Sequence, residues 1–288
     1  MSSISRSIAV FGGNGFLGRK ICETGIQLGY KVTSFSRSGK APSSIKTPWV
    51  EKVNWEKANI FDPETYKHKL KDVDTVVHSI GILFENQGYK QTVNTNFNFL
   101  NDIQNLANTL KYPNPMTKDN TNTYEAIQRD SALILANAFL KQHEVESKQA
   151  VDNSSSENSS EQSSKLPSFV YISADQKIPM VPSGYIETKR EAELELSCLP
   201  GLRTIIMRPN FMYDEAEKHG FHNREILRNF FELGYNVKEK VIGNNVSYIN
   251  SLIRPPISID VVARTIYDKL DDESFKGIVT LDEMRRGM

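Results

Sequence analysis

Two groups of residues have the types and the spacing to do chemistry. Gly12, Gly15 and Gly18 stand three residues apart, between the apolar run 8–11 and an amphipathic stretch. Tyr185 and Lys189 stand four apart in "YIETK", a spacing that puts a phenol and an amine on one face of a helix. The glycines suit a phosphate. Gly12 permits a tight turn, Gly15 lets a backbone come close to a pyrophosphate, and Gly18 lets a helix pack on the preceding strand. A helix N-terminus there adds free N–H groups and partial positive charge. The tyrosine–lysine spacing proves nothing by itself, because the chain has eleven tyrosines and such pairs arise by chance. Its place in the chain decides.

The elements that must hold these residues are legible as an alternation. "SIAVFG" reads as a short buried strand, and "GFLGRKICETGIQLG" as an amphipathic helix stopped at Gly29. "YKVTSFSR", "KVNWEKANI" and "DTVVHSIGIL" read as the next strands, with Asp62 and Pro63 placed to start a helix in "FDPETYKHKL". "YEAIQRDSALILANAFLKQ" is a helix with Tyr124, Ile127, Ala132, Leu135, Ala136 and Phe139 on one face. "SFVYISA" is the fifth strand, and "SGYIETKREAELELSCL" is the helix after it, with Ser183 placed to cap it. "LRTIIMRPN", the helix "ISIDVVARTIYDKL" and a final "GIVTL" complete the pattern. Such alternation predicts an α/β fold, a Rossmann-type doubly wound parallel sheet with a small C-terminal lobe. Ligands bind these sheets at the carboxyl ends of the strands. Residues 1–209 are expected to form the nucleotide-binding domain and 210–288 the lobe. Insertions are expected at 84–123, rich in Asn and Thr, and at 144–165, a serine-rich stretch too poor in apolar residues to offset its ordering entropy.

Composition limits the classes of function. The 288 residues are 39% apolar, enough for a real core, and carry 35 basic and 35 acidic side chains. That balance argues against a broad nucleic-acid surface. The two cysteines, Cys22 and Cys198, lie far apart without metal-ligand neighbours, so no metal site and a reduced compartment are expected. No apolar run reaches the roughly 18 residues of a membrane span, and no signal-peptide pattern precedes Ile8. The opening "MSSISRS" is basic, serine-rich and free of acids, as a short presequence or a plain tail would be.

The second strand argues about the nucleotide. An NAD site usually has an acid at its end to hold two ribose hydroxyls. "TSFSRSGK" has none there, and Arg37, helped by Ser36 and Ser38, can pair with a 2′-phosphate and stack on adenine. NADP(H) is therefore expected ahead of NAD(H).

The G-x-x-G-x-x-G spacing, the "YIETK" pair after the fifth strand, "IIMRPNFMY" and "RPPISIDVVARTI" together resemble the extended branch of the short-chain dehydrogenase/reductase superfamily. The likeness runs from Ile8 to about Leu270 and breaks at the two insertions. Within the superfamily the chain is most similar to atypical mitochondrial members. These include the NADPH-binding accessory subunit of respiratory complex I and a fungal coenzyme Q (ubiquinone) biosynthesis accessory protein.

The resemblance implies site residues. Gly12, Gly13, Asn14, Gly15, Phe16, Leu17 and Gly18 would hold the pyrophosphate, and Ser36 and Arg37 the adenosine end. Ile60 and Asp62 would flank adenine, and Ser79 and Ile80 would lie beneath the cofactor. Pro209, Asn210 and Phe211 would line the nicotinamide end. Tyr185 would exchange a proton with the substrate oxygen. Lys189 would hold the nicotinamide ribose and lower the phenol pKa by its charge. The superfamily also has a hydroxyl after the fifth strand. Ala174 stands in its place, so Ser173 is the candidate only if the chain bends there or the register shifts by one. Gln128 stands where many members have an asparagine that supports the lysine through water. Two functions stay open on these residues: a reductase or dehydrogenase of mitochondrial ubiquinone biosynthesis, and a non-catalytic nucleotide-binding subunit of the same complex. A sugar-nucleotide epimerase is a more distant third. The likeness implies quinone-biosynthesis partners, a matrix-side location, and peripheral inner-membrane contact through partners or the amphipathic "REILRNFFELGY".

Overall fold

The computed structural model describes residues 6–43, 45–82, 123–153, 166–176, 181–215 and 254–287. The first half alternates as the sequence predicts: β1 (Ser7–Phe11), α1 (Phe16–Gln27), β2 (Lys31–Ser36), a single turn α2 (Trp49–Lys52), β3 (Asn54–Lys57) and β4 (Thr75–His78). A π-helical turn, Glu125–Asp130, leads into α3 (Ser131–Asn153). Then come β5 (Ser168–Ile172), α4 (Ser183–Cys198), β6 (Arg203–Met207) and β7 (Met212–Tyr213). β8 (Ile257–Ser258), α5 (Ile259–Asp271), β9 (Gly277–Val279) and α6 (Leu281–Arg286) close the chain.

Seven parallel strands form one sheet in the order β3-β2-β1-β4-β5-β6-β9. The order reverses between β1 and β4, which pair directly with Phe11 opposite His78. That reversal opens a crevice at their carboxyl ends, where such sheets take ligands. Successive side chains on a strand point to opposite faces. Ile8 and Val10 therefore join Val77, Val170 and Ile205 in a core beneath α1 and α5. Ala9 and Phe11 join Val76, Phe169, Tyr171 and Ile206 in a second core beneath α3 and α4. Burial on both faces explains why these strands read as continuous apolar runs.

The structure departs from the sequence reading at four places. The helix expected from Asp62 is two 3-10 turns, Pro63–Thr65 and Lys67–Lys69. Tyr66 interrupts it, because its fully buried ring packs edge-on against Phe11, at 4.9 Å, and its hydroxyl donates to the Ile60 carbonyl. Ser183 does not cap α4; Pro182 occupies that position and Ser183 is the first helical residue. α3 runs to Asn153, well into the 144–165 stretch expected to lack structure. Adding residues to an existing helix needs no new nucleus, and Glu144, Lys148 and Ala150 are good helix formers. Finally, the 210–288 portion divides. β7 and β8 pair as a separate two-stranded sheet, but β9 is the seventh strand of the main sheet and α5 packs on α1 beneath it. The insertion at 84–122, the serine-rich 154–165 and the amphipathic 224–235 lie outside the described residues.

Candidate nucleotide cleft

The turn after β1 is built so that only glycine fits. Gly12 has φ +92°, a left-handed conformation, and a Cβ there would sit 2.6 Å from the Ser79 carbonyl oxygen. A Cβ on Gly18 would fall 2.1 Å from the Gly12 carbonyl oxygen, so α1 can approach the turn only without one. Gly13 is tied to packing as well, since its Cβ would strike the Ser34 hydroxyl on β2. Gly15 is different. Its backbone is extended, φ −74° and ψ 171°, and the one atom near a Cβ is the Gly12 carbonyl oxygen at 3.0 Å. Little in the protein itself demands glycine there. An open cradle at a helix N-terminus, which a Cβ would fill, fits a diphosphate.

The cleft above this turn has a volume of about 540 Å³. Gly12 and Gly15 form one wall. Ser36, Arg37, Ala58, Asn59, Ile60 and Phe61 surround one end, and Ser79, Ile80, Gly81 and Ser131 the other. Among the described residues Arg37 is the only charged side chain lining it, and no carboxylate does. The residues present therefore fit a dinucleotide, and the absence of an acid after β2 leaves an arginine to meet whatever the ribose carries. A larger groove of about 800 Å³ runs between α3 and the 63–67 turns. Its Glu64 and Lys67 pair with each other and its Asp130 pairs with Arg129, and it lies away from the glycine turn.

Of the residues picked from the sequence, Gly12, Gly15, Ser36, Arg37, Ile60, Ser79 and Ile80 line the cleft. Asn14 ties the glycine turn to the loop after β2, its Nδ2 donating to the Lys40 carbonyl at 2.7 Å, while its Oδ1 is buried without a partner. Leu17 sends its side chain into the core, and Phe16 packs against the same cluster. What these two offer a ligand is the backbone of the first turn. Asp62 does not reach the cleft. Its Oδ1 accepts from the Glu64 N–H at the start of the 3-10 turn, and Asn59 and Phe61 take the lining positions. Pro209, Asn210 and Phe211 do not line it either. The Pro209 carbonyl accepts from the Asp175 N–H, Asn210 Nδ2 donates to the Arg254 carbonyl, and the Phe211 carbonyl accepts from the Ile257 N–H. They knit the exit of β6 to the chain before β8.

The tyrosine–lysine pair lies behind the far end of the cleft. Lys189 is buried, and its Nζ sits 3.7 Å from where a Cβ on the cleft residue Gly81 would be. Nζ donates to the Ile172 carbonyl at 2.7 Å and lies 4.7 Å from the centre of the Tyr171 ring. Burial pulls the amine down to about 7, with Glu193 on the same helix acting weakly the other way. One turn earlier on α4, Tyr185 is half-buried, its ring edge-on to Tyr124 at 6.1 Å. Gly184 leaves room for the Tyr124 ring, which a Cβ would meet at 3.2 Å. Ser173 is not free to serve as the missing hydroxyl. Just past β5, its Oγ donates to Glu193 and receives Arg190 Nη1 at 3.3 Å.

Three features have little or no trace in the sequence. His78 ends β4 with its ring fully buried, Nε2 2.8 Å from the Ser131 hydroxyl and Nδ1 without a partner among the described residues. Gln128 lies fully buried in the π-helical turn, Nε2 reaching the Ile82 carbonyl and Oε1 unpartnered among the described residues, while its own carbonyl accepts the Tyr171 hydroxyl. Glu193 gathers Ser173, Arg190 and Arg208. Two of them carried a signal: the small residues after His78, Ser79 to Gly81, as a turn under a cofactor, and Gln128 as standing in place of an asparagine.

Residues 8–124 match the model of the NAD dependent epimerase/dehydratase family, whose members bind nicotinamide cofactors. The whole chain is similar to the MIOREX complex component 2 of Saccharomyces cerevisiae: 39% identical over 282 residues, 96% of this chain and 98% of that protein. Among solved structures, a short-chain dehydrogenase/reductase family oxidoreductase from Burkholderia thailandensis has a TM-score of 0.56 at 11% identity, over 96% of this chain and 91% of the other. ElxO with NADPH bound has a TM-score of 0.54 at 14% identity, over 99% of this chain and 100% of the other. At such identities the likeness to solved structures is one of fold.

Proposed function

The chain belongs to the NAD dependent epimerase/dehydratase family, and from that premise we propose that it binds NADP(H) in the cleft between β1 and β4, as a reductase or dehydrogenase subunit of a multiprotein assembly. One observation carries the reading. The cleft is floored by a glycine left open at Gly15, charged only by Arg37 among the described residues, and backed at Gly81 by the buried amine of Lys189. A nicotinamide held at that end would supply the hydride, with Lys189 placed to contribute charge and Tyr185, one turn earlier on α4, to exchange a proton. Arg37 favours NADP(H) over NAD(H), because a guanidinium pairs with a phosphate dianion and a ribose hydroxyl gives it much less.

The reading includes a mitochondrial location and protein partners, supported by the yeast relative's being a component of a complex. Partners of the MIOREX kind stand ahead of coenzyme Q biosynthesis proteins, because a relative 39% identical over 96% of this chain is named for the former. A second reading, a nucleotide-binding subunit without turnover, is favoured by one observation: Ser173, the remaining hydroxyl beside Ala174, donates to Glu193.

Calorimetric titration tests the cofactor. NADPH should bind at least tenfold more tightly than NADH, and Arg37→Glu should remove that preference, a change of about 1.4 kcal/mol or more. Equal affinities in the wild type would overturn the assignment. The double variant Tyr185→Phe with Lys189→Ala separates the two readings in cells lacking the protein. Loss of function with the protein still present at normal level supports the enzyme, and full complementation supports the subunit without turnover.

A further inference from the structure

We propose that the cleft takes up a proton when it takes up a nucleotide, and that the proton settles on the buried amine of Lys189. The inference rests on the nucleotide reading of the cleft. Lys189 sits at its inner end, behind a residue with no side chain, and shares no ion pair with a carboxylate among the described residues. Its one hydrogen-bond acceptor there is a neutral carbonyl, that of Ile172, with an aromatic face beneath. An ammonium in that place lacks the solvation it had in water. Without nucleotide, the amine is therefore held near the midpoint of its titration at neutral pH. A diphosphate brings formal negative charge into the same cleft, and in a setting of low dielectric that charge favours the ammonium. The step balances as the neutral amine plus a proton from solvent giving the ammonium, with no bond to the nucleotide made or broken.

The groups around Lys189 leave it as the one that responds. On its own helix, the Glu193 carboxylate is already shared by Arg190 and Arg208. On β5, burial holds the Tyr171 phenol well above its ordinary value and hence neutral. On β4, burial and the charge of Lys189 push His78 down to about 3, so it too is neutral here. On the π-helical turn, Arg129 is paired with Asp130 and Glu191, and Gln128 does not titrate. One turn earlier on α4, the Tyr185 ring packs edge-on against Tyr124.

The test is calorimetry of the whole protein with NADPH in two buffers of different ionisation enthalpy, at pH 7 and pH 8. At pH 8 the 2′-phosphate is already dianionic and contributes little. The wild type should take up about half a proton per nucleotide at pH 7 and close to one at pH 8, and its affinity should fall towards tenfold per pH unit above 7. Lys189→Met, or Lys189→Arg if the first does not fold, should bind more weakly at pH 7 and with heat independent of the buffer. Wild-type binding without buffer dependence, or uptake that persists in both variants, overturns the inference and leaves the nucleotide reading standing. No NADPH binding by the folded wild type overturns both.

Discussion

At the scale of single residues, His78 shows how one hydrogen bond fixes a charge state. The Ser131 hydroxyl donates to the Ile127 carbonyl at 2.6 Å, so toward His78 its oxygen accepts. The imidazole then carries its hydrogen on Nε2, and Nδ1 is a buried acceptor without a partner among the described residues. Protonating Nδ1 would place a charge with no partner in the core. The folded value is thus below the unfolded one, about 3 against 6.5, from burial first and the charge of Lys189 second. Between those values the unfolded chain binds more protons, so stability is lost as pH falls through that window, by about 1.4 kcal/mol per pH unit. Urea unfolding at pH 7, 6 and 5 should show that loss in the wild type. His78→Phe should be less acid-sensitive by about that slope, and parallel profiles would refute the assignment. Nothing in the letters "VVHSI" forecast this, because a histidine closing an apolar strand reads the same whether its ring is paired or orphaned.

At the scale of elements, the glycine turn divides into residues the fold needs and one, Gly15, on which it makes little demand. Gly18→Ala forces a methyl to within 2.1 Å of the Gly12 carbonyl oxygen and of backbone that cannot swing aside, so it should destabilise by about 2–4 kcal/mol. Gly15→Ala has an ordinary extended backbone and one tight neighbour at 3.0 Å, so it should cost about 1 kcal/mol or less while weakening NADPH binding more than tenfold. Thermal melts and titrations of the two variants should separate the effects; equal loss of stability in both would show that the turn is structural throughout. This element was legible because its requirements are local: a strand, a turn and a helix N-terminus lie within twenty residues. The 3-10 turns at 63–69 and the π-helical turn at 125–130 were not. Asp62 and Pro63 do start a turn, but what ends it is the Tyr66 ring reaching Phe11 and Phe35 on strands more than thirty residues away. Within the π-helical turn the Tyr171 hydroxyl, from β5, donates to the Gln128 carbonyl, a contact no local pattern encodes.

At the scale of the whole molecule, the carboxyl ends of the strands are held together by charge. Glu193 on α4 accepts from Ser173 past β5, from Arg208 past β6 and from Arg190 on its own helix. Arg190 also donates to the Ala174 and Asp175 carbonyls. Arg254 then joins Asp175 to Asp282 on α6. The partners lie from 3 to 79 residues apart, which is why the doubly wound sheet could be read from periodicity while the frame at its carboxyl edge could not. The same frame explains why Ser173 is unavailable to a substrate: its hydroxyl helps satisfy a buried carboxylate, whose orphaning would cost more than one hydrogen bond returns. Because Arg190 and Arg208 each keep a quarter to a third of their side chains in solvent, losing the carboxylate leaves them partly hydrated rather than stranded. Glu193→Gln should therefore cost about 2–3 kcal/mol, below the range for a fully buried pair. Combined with Arg208→Gln in a double-mutant cycle, it should show a coupling of about 1–2 kcal/mol in urea unfolding. NADPH affinity in the same variants should stay within about threefold of wild type, since none of these side chains lines the cleft. Additive losses, with a coupling near zero, would mean that the strand exits are held by packing alone and that the Ser173 hydroxyl is free to turn toward the cleft.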